Sequence, residues 1–371
     1  MKATEIPGYL RDTVFRLLPH PVRPGLRRIG EPDARSPLLL TCNFSLTVRR
    51  LTRVLRGRNA WLLVANSKGV NVWCAAGGGH LTHHEVIGAI RASGIDRLVE
   101  HRQLILPQLS ATGVERQKVE EATGFRCRWG PARLEDLPGF FARECRASKY
   151  HRKMRFPLWE RMEMALMWVV PMAVVAAVAV GLLADAWTGL AAAAMVALTV
   201  GAMFAALPWL AVTGAKSLFT FGGFALAGVG ASVLALARCG EPAPAQMALL
   251  GCANAVAMAV LYLDLAGTTP WYPSNINSFR NRHSVELIEG RCTGAAACVP
   301  VCPREVLMMK GEQRTVAIAR PQACLRCGAC IVQCPQDALR FRFDDGRVVE
   351  ADTVRSTKLN LLGRRTGANE Q

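Results

Sequence analysis

Cys324-Leu-Arg-Cys327-Gly-Ala-Cys330-Ile-Val-Gln-Cys334-Pro335 is a complete C-x2-C-x2-C-x3-C-P run. This spacing wraps three thiolates around one cubane iron–sulfur cluster and sends the fourth to a neighbouring cluster. Zinc also uses closely spaced cysteine pairs, but it does not need four in this order followed by proline. Upstream, Cys292-Thr-Gly-Ala295-Ala-Ala-Cys298-Val-Pro-Val-Cys302-Pro303 repeats the frame, with Ala295 where the second cysteine belongs. Crossing the fourth ligands predicts one full [4Fe-4S] site from Cys302, Cys324, Cys327 and Cys330. The other site has three thiolates, Cys292, Cys298 and Cys334. Such a site suits a [3Fe-4S] cluster or a [4Fe-4S] cluster with an exchangeable ligand at one iron; a degenerate site would hold neither. The chain has 13 cysteines in 371 residues, and the crowding of the ligands between 292 and 334 argues against a disulfide framework. Thiolates in this order require a reducing compartment.

The cluster unit spans 279–346, and a polar, basic tail at 347–371 is expected to be mobile. Toward the amino terminus the composition changes sharply. The whole chain is 51 % apolar and 20 % charged, yet residues 165–265 are nearly free of charge. Within a membrane domain at 151–275, four helical spans are expected near 165–184, 189–212, 217–237 and 246–264, each close to the ~20 residues a bilayer core requires. Residues 143–161 before the first span are densely basic, Arg280 and Arg282 follow the last, and Lys216 lies between the second and third. The first connection carries Asp185, and the third carries Arg238 balanced by Glu241. Basic flanks face the cytoplasm, so an even number of spans puts both soluble ends on the cytoplasmic side of the inner membrane. The formal net charge of +17 has the same origin. Nucleic acid is not an expected partner, because no nucleic-acid-binding motif accompanies the charge. Arg49-Arg50-Leu51-Thr52-Arg53 suits the solvated face of a helix. No apolar h-region opens the chain, so no cleaved secretory signal is expected.

Residues 1–36 read as a basic segment, and 37–150 alternate strand and helix. Leu38-Leu39-Leu40-Thr41 is a buried strand, followed by an Arg-rich amphipathic helix at 47–55. Trp61-Leu62-Leu63-Val64-Ala65 is a second strand, and a helix at 82–92 follows it. A strand at Leu104-Ile105-Leu106, a helix at 114–123, a strand at 125–129 and a helix at 134–146 complete the pattern. Repeated β–α units imply a Rossmann-like α/β domain, a parallel sheet with helices on both faces. Ligands of such folds sit beyond the carboxyl ends of the strands, here at the loops after the first three strands.

Asn66-Ser-Lys-Gly-Val-Asn71-Val-Trp73-Cys74-Ala-Ala-Gly77-Gly78-Gly79-His80 follows the second strand directly. Asn71 is an N-cap for a short helix at 72–76 that ends in glycines. Cys74 then lies in the first turn, where the helix dipole and unpaired N–H groups favour thiolate. Ala75, Ala76 and Gly77 leave room for a flat, bulky ligand. On the residues alone, a buried structural cysteine is the competing reading. His80, His83, His84 and Glu85 would form a metal site or, as the alternative, solvated and capping positions. Asn254 and Cys252 in the last span read as interhelical hydrogen-bonding and packing residues. Cys42, Cys127, Cys145 and Cys239 lack partner spacing and carry no role.

The segment Asn71-Val-Trp-Cys-Ala-Ala-Gly77 resembles the cap-helix motif of the corrinoid protein family of microbial mercury methylation (HgcA), which is related to the corrinoid subunits of acetyl-CoA synthase complexes. The similarity extends through 41–47, 60–68, 101–109 and Gly130-Pro131, and on to the stretch ending at Trp271. The terminal unit resembles the ferredoxin partner of that family (HgcB), a bacterial two-cluster α+β ferredoxin. The resemblance implies a cobalamin-type corrinoid whose cobalt is ligated from below by Cys74. Thr41, Thr47, Val72, Trp73, Ala75 and Gly77 would be surrounding contacts. It further implies methyl transfer, with mercuric ion as one acceptor, a methylated folate or methyl donor protein as source, and an electron donor to the clusters. The alternatives are a membrane electron-transfer protein and a methyl carrier of one-carbon metabolism. Three features depart from the family: Gly78 replaces its lysine, no cysteine follows Cys334, and Ala295 removes a cluster ligand.

Overall fold

The computed structural model describes residues 6–237, 243–265, 267–271, 283–311, 314–359 and 365–366. The expectations for Arg238, Cys239, Glu241, Arg280 and Arg282 lie outside these residues. The chain divides into two units: Met1–Leu17 with Phe156–Gly267 and Ser274–Ser278, and Leu18–Arg155 with Thr268–Pro273 and Phe279–Gln371. The α/β part and the iron–sulfur part therefore share one unit.

In that unit, β1 (Gly25–Ile29), β2 (Leu38–Cys42), β3 (Ala60–Ala65), β4 (Gln103–Leu106) and β5 (Arg126–Trp129) form one sheet in the order β1-β3-β2-β4-β5. From β2 to β5 the pairing is parallel. The sheet is nevertheless mixed, not purely parallel as expected, because β1 runs antiparallel to β3 with Gly25 opposite Val64. Residues 1–36 are thus more than a basic segment. Arg27 and Arg28 disguise β1, and such charges suit an edge strand, where they discourage pairing with another chain.

Every residue of β2 and β3 is buried. Leu39, Leu62, Val64 and Ile105 pack with Val48, Leu51 and Leu55 of the Arg-rich helix and with Leu137 and Phe140. Strand side chains alternate in direction, so Leu38 and Leu40, 0 % and 3 % exposed, point to a second covered face. β3 and β4 lie on opposite sides of β2, which makes the carboxyl end of β2 a topological switch point. The loops after β2, β3 and β4 open there.

The iron–sulfur part contains β6 (His283–Leu287), β7 (Leu307–Met309), β8 (Val316–Ile318), β9 (Leu339–Phe343) and β10 (Val348–Val349). They form a β10-β9-β6 sheet and a β7-β8 hairpin. Val285, Ile331, Leu339 and Phe341 are among its core residues. The mobile tail expected after 346 is a correction: Ala351–Ser356 is helical, with Ala351 and Val354 buried in the same core. β11 (Lys358–Leu359) then pairs with β12 (Arg365–Thr366).

In the other unit, four helices among the described residues are long and apolar enough to cross a bilayer. They are Leu158–Leu183, Ala186–Ala206, Ser217–Ala237 and Pro244–Leu263. The first starts earlier than expected because the Glu160–Arg161 turn is helical, with Arg161 donating to Phe204 O at 3.2 Å. Asp185 caps the second through the N–H groups of Trp187 and Thr188, at 2.9 and 3.0 Å. Asn254 binds three helices together: its Oδ1 accepts from Thr199 Oγ1 at 2.9 Å and its Nδ2 donates to Ala225 O at 2.9 Å. Cys252, expected to pack, is exposed.

Candidate functional site

Two adjoining sites occupy the unit that carries the sheet. The first is the cap helix Val72–Gly77. Asn71 Oδ1 accepts from Cys74 N at 3.0 Å, the N-cap that its sequence position suggested. Cys74, Val72 and Trp73 are half-buried, Ala75 and Ala76 are buried, and Gly77 is half-buried. The thiol therefore stands at the helix start with small side chains after it. Thr41 is buried at the end of β2. Thr47 is half-buried and shares a hydrogen bond with the Cys42 thiol, whose pKa is raised by burial.

Sequence reading missed what anchors this helix. Asn43, 3 % exposed, follows β2 directly. Its Oδ1 accepts from Ser67 N at 2.8 Å, Ser67 Oγ at 2.8 Å and Gly69 N at 2.9 Å. Its Nδ2 donates to Val22 O at 3.1 Å. One side chain thus joins the loops after β2 and β3 and fixes the entry to Asn71. Beneath the helix lies the 3-10 turn Gln108–Thr112, followed by Gly113. A Cβ on Gly113 would lie 2.3 Å from Ala76 O and 2.8 Å from Leu81 O, so the two backbones touch. After the helix, a Cβ on Gly79, at φ +72°, would meet the Lys358 side chain.

The four polar residues past the cap helix divide by role. Glu85 closes a capping box, accepting from Thr82 N at 2.8 Å while His84 N donates to Thr82 Oγ1 at 3.2 Å. His83 stacks near His84, with ring centroids 4.1 Å apart, and its Nδ1 lies 3.3 Å from Glu115 Oε1. Burial lowers the pKa of both His80 and His83. Among the described residues, no three His, Cys, Asp or Glu side chains converge on a single-ion site.

The second site is the cluster pair. Cys302, Cys324, Cys327 and Cys330 line one small cavity, together with Val285, Pro303 and Leu307. Burial pushes the Cys298 thiol up to about 12, and Cys334 and Cys292 stand among its neighbours. Cys330 is likewise raised by burial, with Cys324, Cys327 and Cys302 around it. Cys302 also stands near Cys298, and Cys298 near Cys330, so the seven thiols gather in one region of the domain. Thiols so buried ionise only when a metal replaces the proton, which suits iron.

Both halves also share one backbone conformation. Positive φ recurs at Gly294 and Arg326, at Ala296 and Gly328, and at Glu305 and Asp337, each two, four or three residues past an equivalent cysteine. Val306 N donates to Cys302 Sγ and Ala338 N to Cys334 Sγ, each at 3.3 Å. A non-glycine residue adopts positive φ only under local constraint. The loop carrying Ala295 thus keeps the wrapping conformation of its complete counterpart.

Residues 11–141 match the family model described as CO dehydrogenase/acetyl-CoA synthase delta subunit, and residues 279–347 match the 4Fe-4S dicluster domain. The first match begins upstream of residue 37 and takes in β1. Similar proteins include the acetyl-CoA decarbonylase/synthase complex subunit gamma of Methanopyrus kandleri, 38 % identical over 128 residues, covering 34 % of this chain and 27 % of that protein. Subunit gamma 2 of Methanosarcina thermophila is 35 % identical over 139 residues, covering 36 % and 29 %. The gamma subunit of Methanocaldococcus jannaschii is 40 % identical over 111 residues, covering 29 % and 22 %. The chain therefore spans less than a third of the length of these relatives. Its α/β domain is similar to part of these acetyl-CoA synthase subunits, and its carboxyl-terminal part matches a 4Fe-4S dicluster domain.

Proposed function

We propose that the chain is a membrane-anchored corrinoid methyl carrier with its own iron–sulfur electron donor. The observation that carries the reading is Cys74. It is half-buried and N-capped, sits at the strand ends of an acetyl-CoA-synthase-type domain, and shares one unit with the cluster domain. The donor set fits: a sulfur at a helix start, flanked by Ala75, Ala76 and Gly77, admits a flat macrocycle. A bound corrinoid would supply a cobalt centre able to take up a methyl group and pass it on. Cys74 would be its protein ligand, and Asn43 and Asn71 would hold that sulfur in place. Val72, Trp73, Ala75 and Gly77 would line the contact. Thr41 and Thr47 would support it from the end of β2.

The clusters at Cys302/Cys324/Cys327/Cys330 and Cys292/Cys298/Cys334 would return electrons to the carrier. The four apolar helices with their basic flanks favour insertion in the inner membrane, soluble parts toward the cytoplasm. Mercuric ion is the acceptor to which the cap-helix likeness points. A non-metal acceptor in one-carbon metabolism is the second reading, supported by the acetyl-CoA synthase relatives. Anaerobic purification with cobalamin tests the carrier: a cobalt spectrum that changes in Cys74→Ala supports it, and a protein without cobalt refutes it. Methylmercury formation in a gene deletion and its complement separates the two acceptors.

A further inference from the structure

Gln333 does not touch iron, yet its side chain is 7 % exposed and fully engaged across the α/β–cluster boundary. Nε2 donates to Ala111 O at 2.9 Å and Val114 O at 2.7 Å, and Oε1 accepts from Arg116 N at 3.3 Å. The carbonyls it holds flank Gly113, whose backbone touches Ala76 of the cap helix. The next residue after Gln333 is Cys334, a ligand of the three-thiolate site. Arg355 grips the same turn, donating to Cys334 O at 3.0 Å while its Nε stands 3.7 Å from Glu115 Oε2. The four-thiolate cavity is lined by cluster-domain residues, and the backbone hydrogen bond that ties it to the earlier part of the chain runs from Met154 N to Pro303 O at 2.8 Å, outside the turn that meets the cap helix.

We propose that Gln333 is the positioning residue that fixes the iron–sulfur domain on the α/β domain, and that the three-thiolate cluster is the exit cluster toward the cap helix. This rests on the corrinoid reading above. A cluster held by Cys292, Cys298 and Cys334 would give up one electron and a corrinoid at Cys74 would take up that one electron, with no bond formed or broken and an external low-potential one-electron donor restoring the cluster. A buried amide that makes three hydrogen bonds, both its N–H donors among them, is well suited to such docking. Replacing it with an apolar side chain leaves two carbonyls and an N–H without partners. The loss of Cys at position 295 then falls on the cluster nearest the acceptor, where an altered potential bears directly on the transfer.

The test uses the full chain in detergent with reconstituted clusters. Gln333→Met should keep iron and sulfide content and leave each cluster's spin signal in place. Hydrogen exchange at Arg116 N–H should accelerate about tenfold or more, as expected when a buried hydrogen-bonded contact opens. Glu115→Gln, which lies outside the cluster domain, should show a smaller change at the same N–H and serves if the first variant fails to fold. The signal altered by Ala295→Cys identifies the three-thiolate cluster. On mixing the fully reduced protein with aquocobalamin and freezing rapidly, that signal should disappear first, and more slowly in Gln333→Met. Unchanged exchange in both variants overturns the docking role. Prior loss of the other cluster's signal overturns the exit assignment alone, whereas a protein that retains no cobalamin overturns the assignment together with the corrinoid reading.

Discussion

Asn43→Ala is the substitution in which the link between loop order and the cap helix can be measured most directly. The side chain accepts three hydrogen bonds and donates one, all inside the fold. Ser67 Oγ keeps a partner after the change, because its one hydroxyl proton can turn to Val70 O, 2.7 Å away. Ser67 N and Gly69 N lose theirs. Ser67 is 0 % exposed, so water cannot substitute without opening the loop. Two orphaned buried donors, at about 1–3 kcal/mol each, place the loss at roughly 2–6 kcal/mol. That is a large part of the ~5–15 kcal/mol typical of a domain. Urea unfolding of the full chain, followed by tryptophan fluorescence, measures it, with hydrogen exchange at Gly69 N–H as the local probe. The Asn43→Ala and Ser67→Ala changes should be non-additive, because both act on one network. A loss below ~0.5 kcal/mol, the range of ordinary surface substitutions, together with protected Gly69 exchange, would refute the assignment of Asn43 as the anchor.

Gly113→Ala should detach the 3-10 turn from the cap helix, since the added methyl meets two backbone carbonyls that cannot rotate away; a lowered Tm and weaker cobalamin retention are the expected readings. Asn254→Leu should weaken the helix bundle by about 0.6–1.7 kcal/mol, the range for interhelical hydrogen bonds in membranes, seen as a lower unfolding midpoint in detergent. His83, packed against Glu115 with His84, Lys118 and Glu85 nearby, has its pKa depressed by burial, against the opposing pull of Glu115. The folded state thus resists its protonation, so stability should fall as pH drops below the ordinary histidine value near 6.5 and on through the lower folded-state pKa. His83→Gln should flatten that limb of the stability–pH curve, and a curve unchanged by the substitution would remove His83 as its source.

The 4Fe-4S domain was legible because a cubane demands thiolates at fixed short spacings, and local chain geometry alone satisfies most of that demand. The four long apolar helices were legible for a similar reason: some twenty apolar residues in succession, nearly free of charge, declare themselves in composition alone. The cap helix could be read as well, since Asn71 and the glycines are local signals that act within a few residues. β1 could not, because Gly-Leu-Arg-Arg-Ile becomes a strand only when β3 offers its edge. Nor could the helix Ala351–Ser356, whose burial depends on Val354 meeting a core assembled from residues far earlier in the chain.

Sequence by itself determined which chemistry this protein can hold, through short-range spacing of cysteines and the unbroken hydrophobic runs. Only the tertiary structure decided how the parts face one another: Asn43 reaching the loop after β3, and Gln333 reaching Ala111 and Val114 across more than two hundred residues. Those partners carry no pattern in the sequence. A buried amide finds its hydrogen bonds wherever folding leaves carbonyls and N–H groups without water, and that is set by the packing of whole elements rather than by neighbours along the chain.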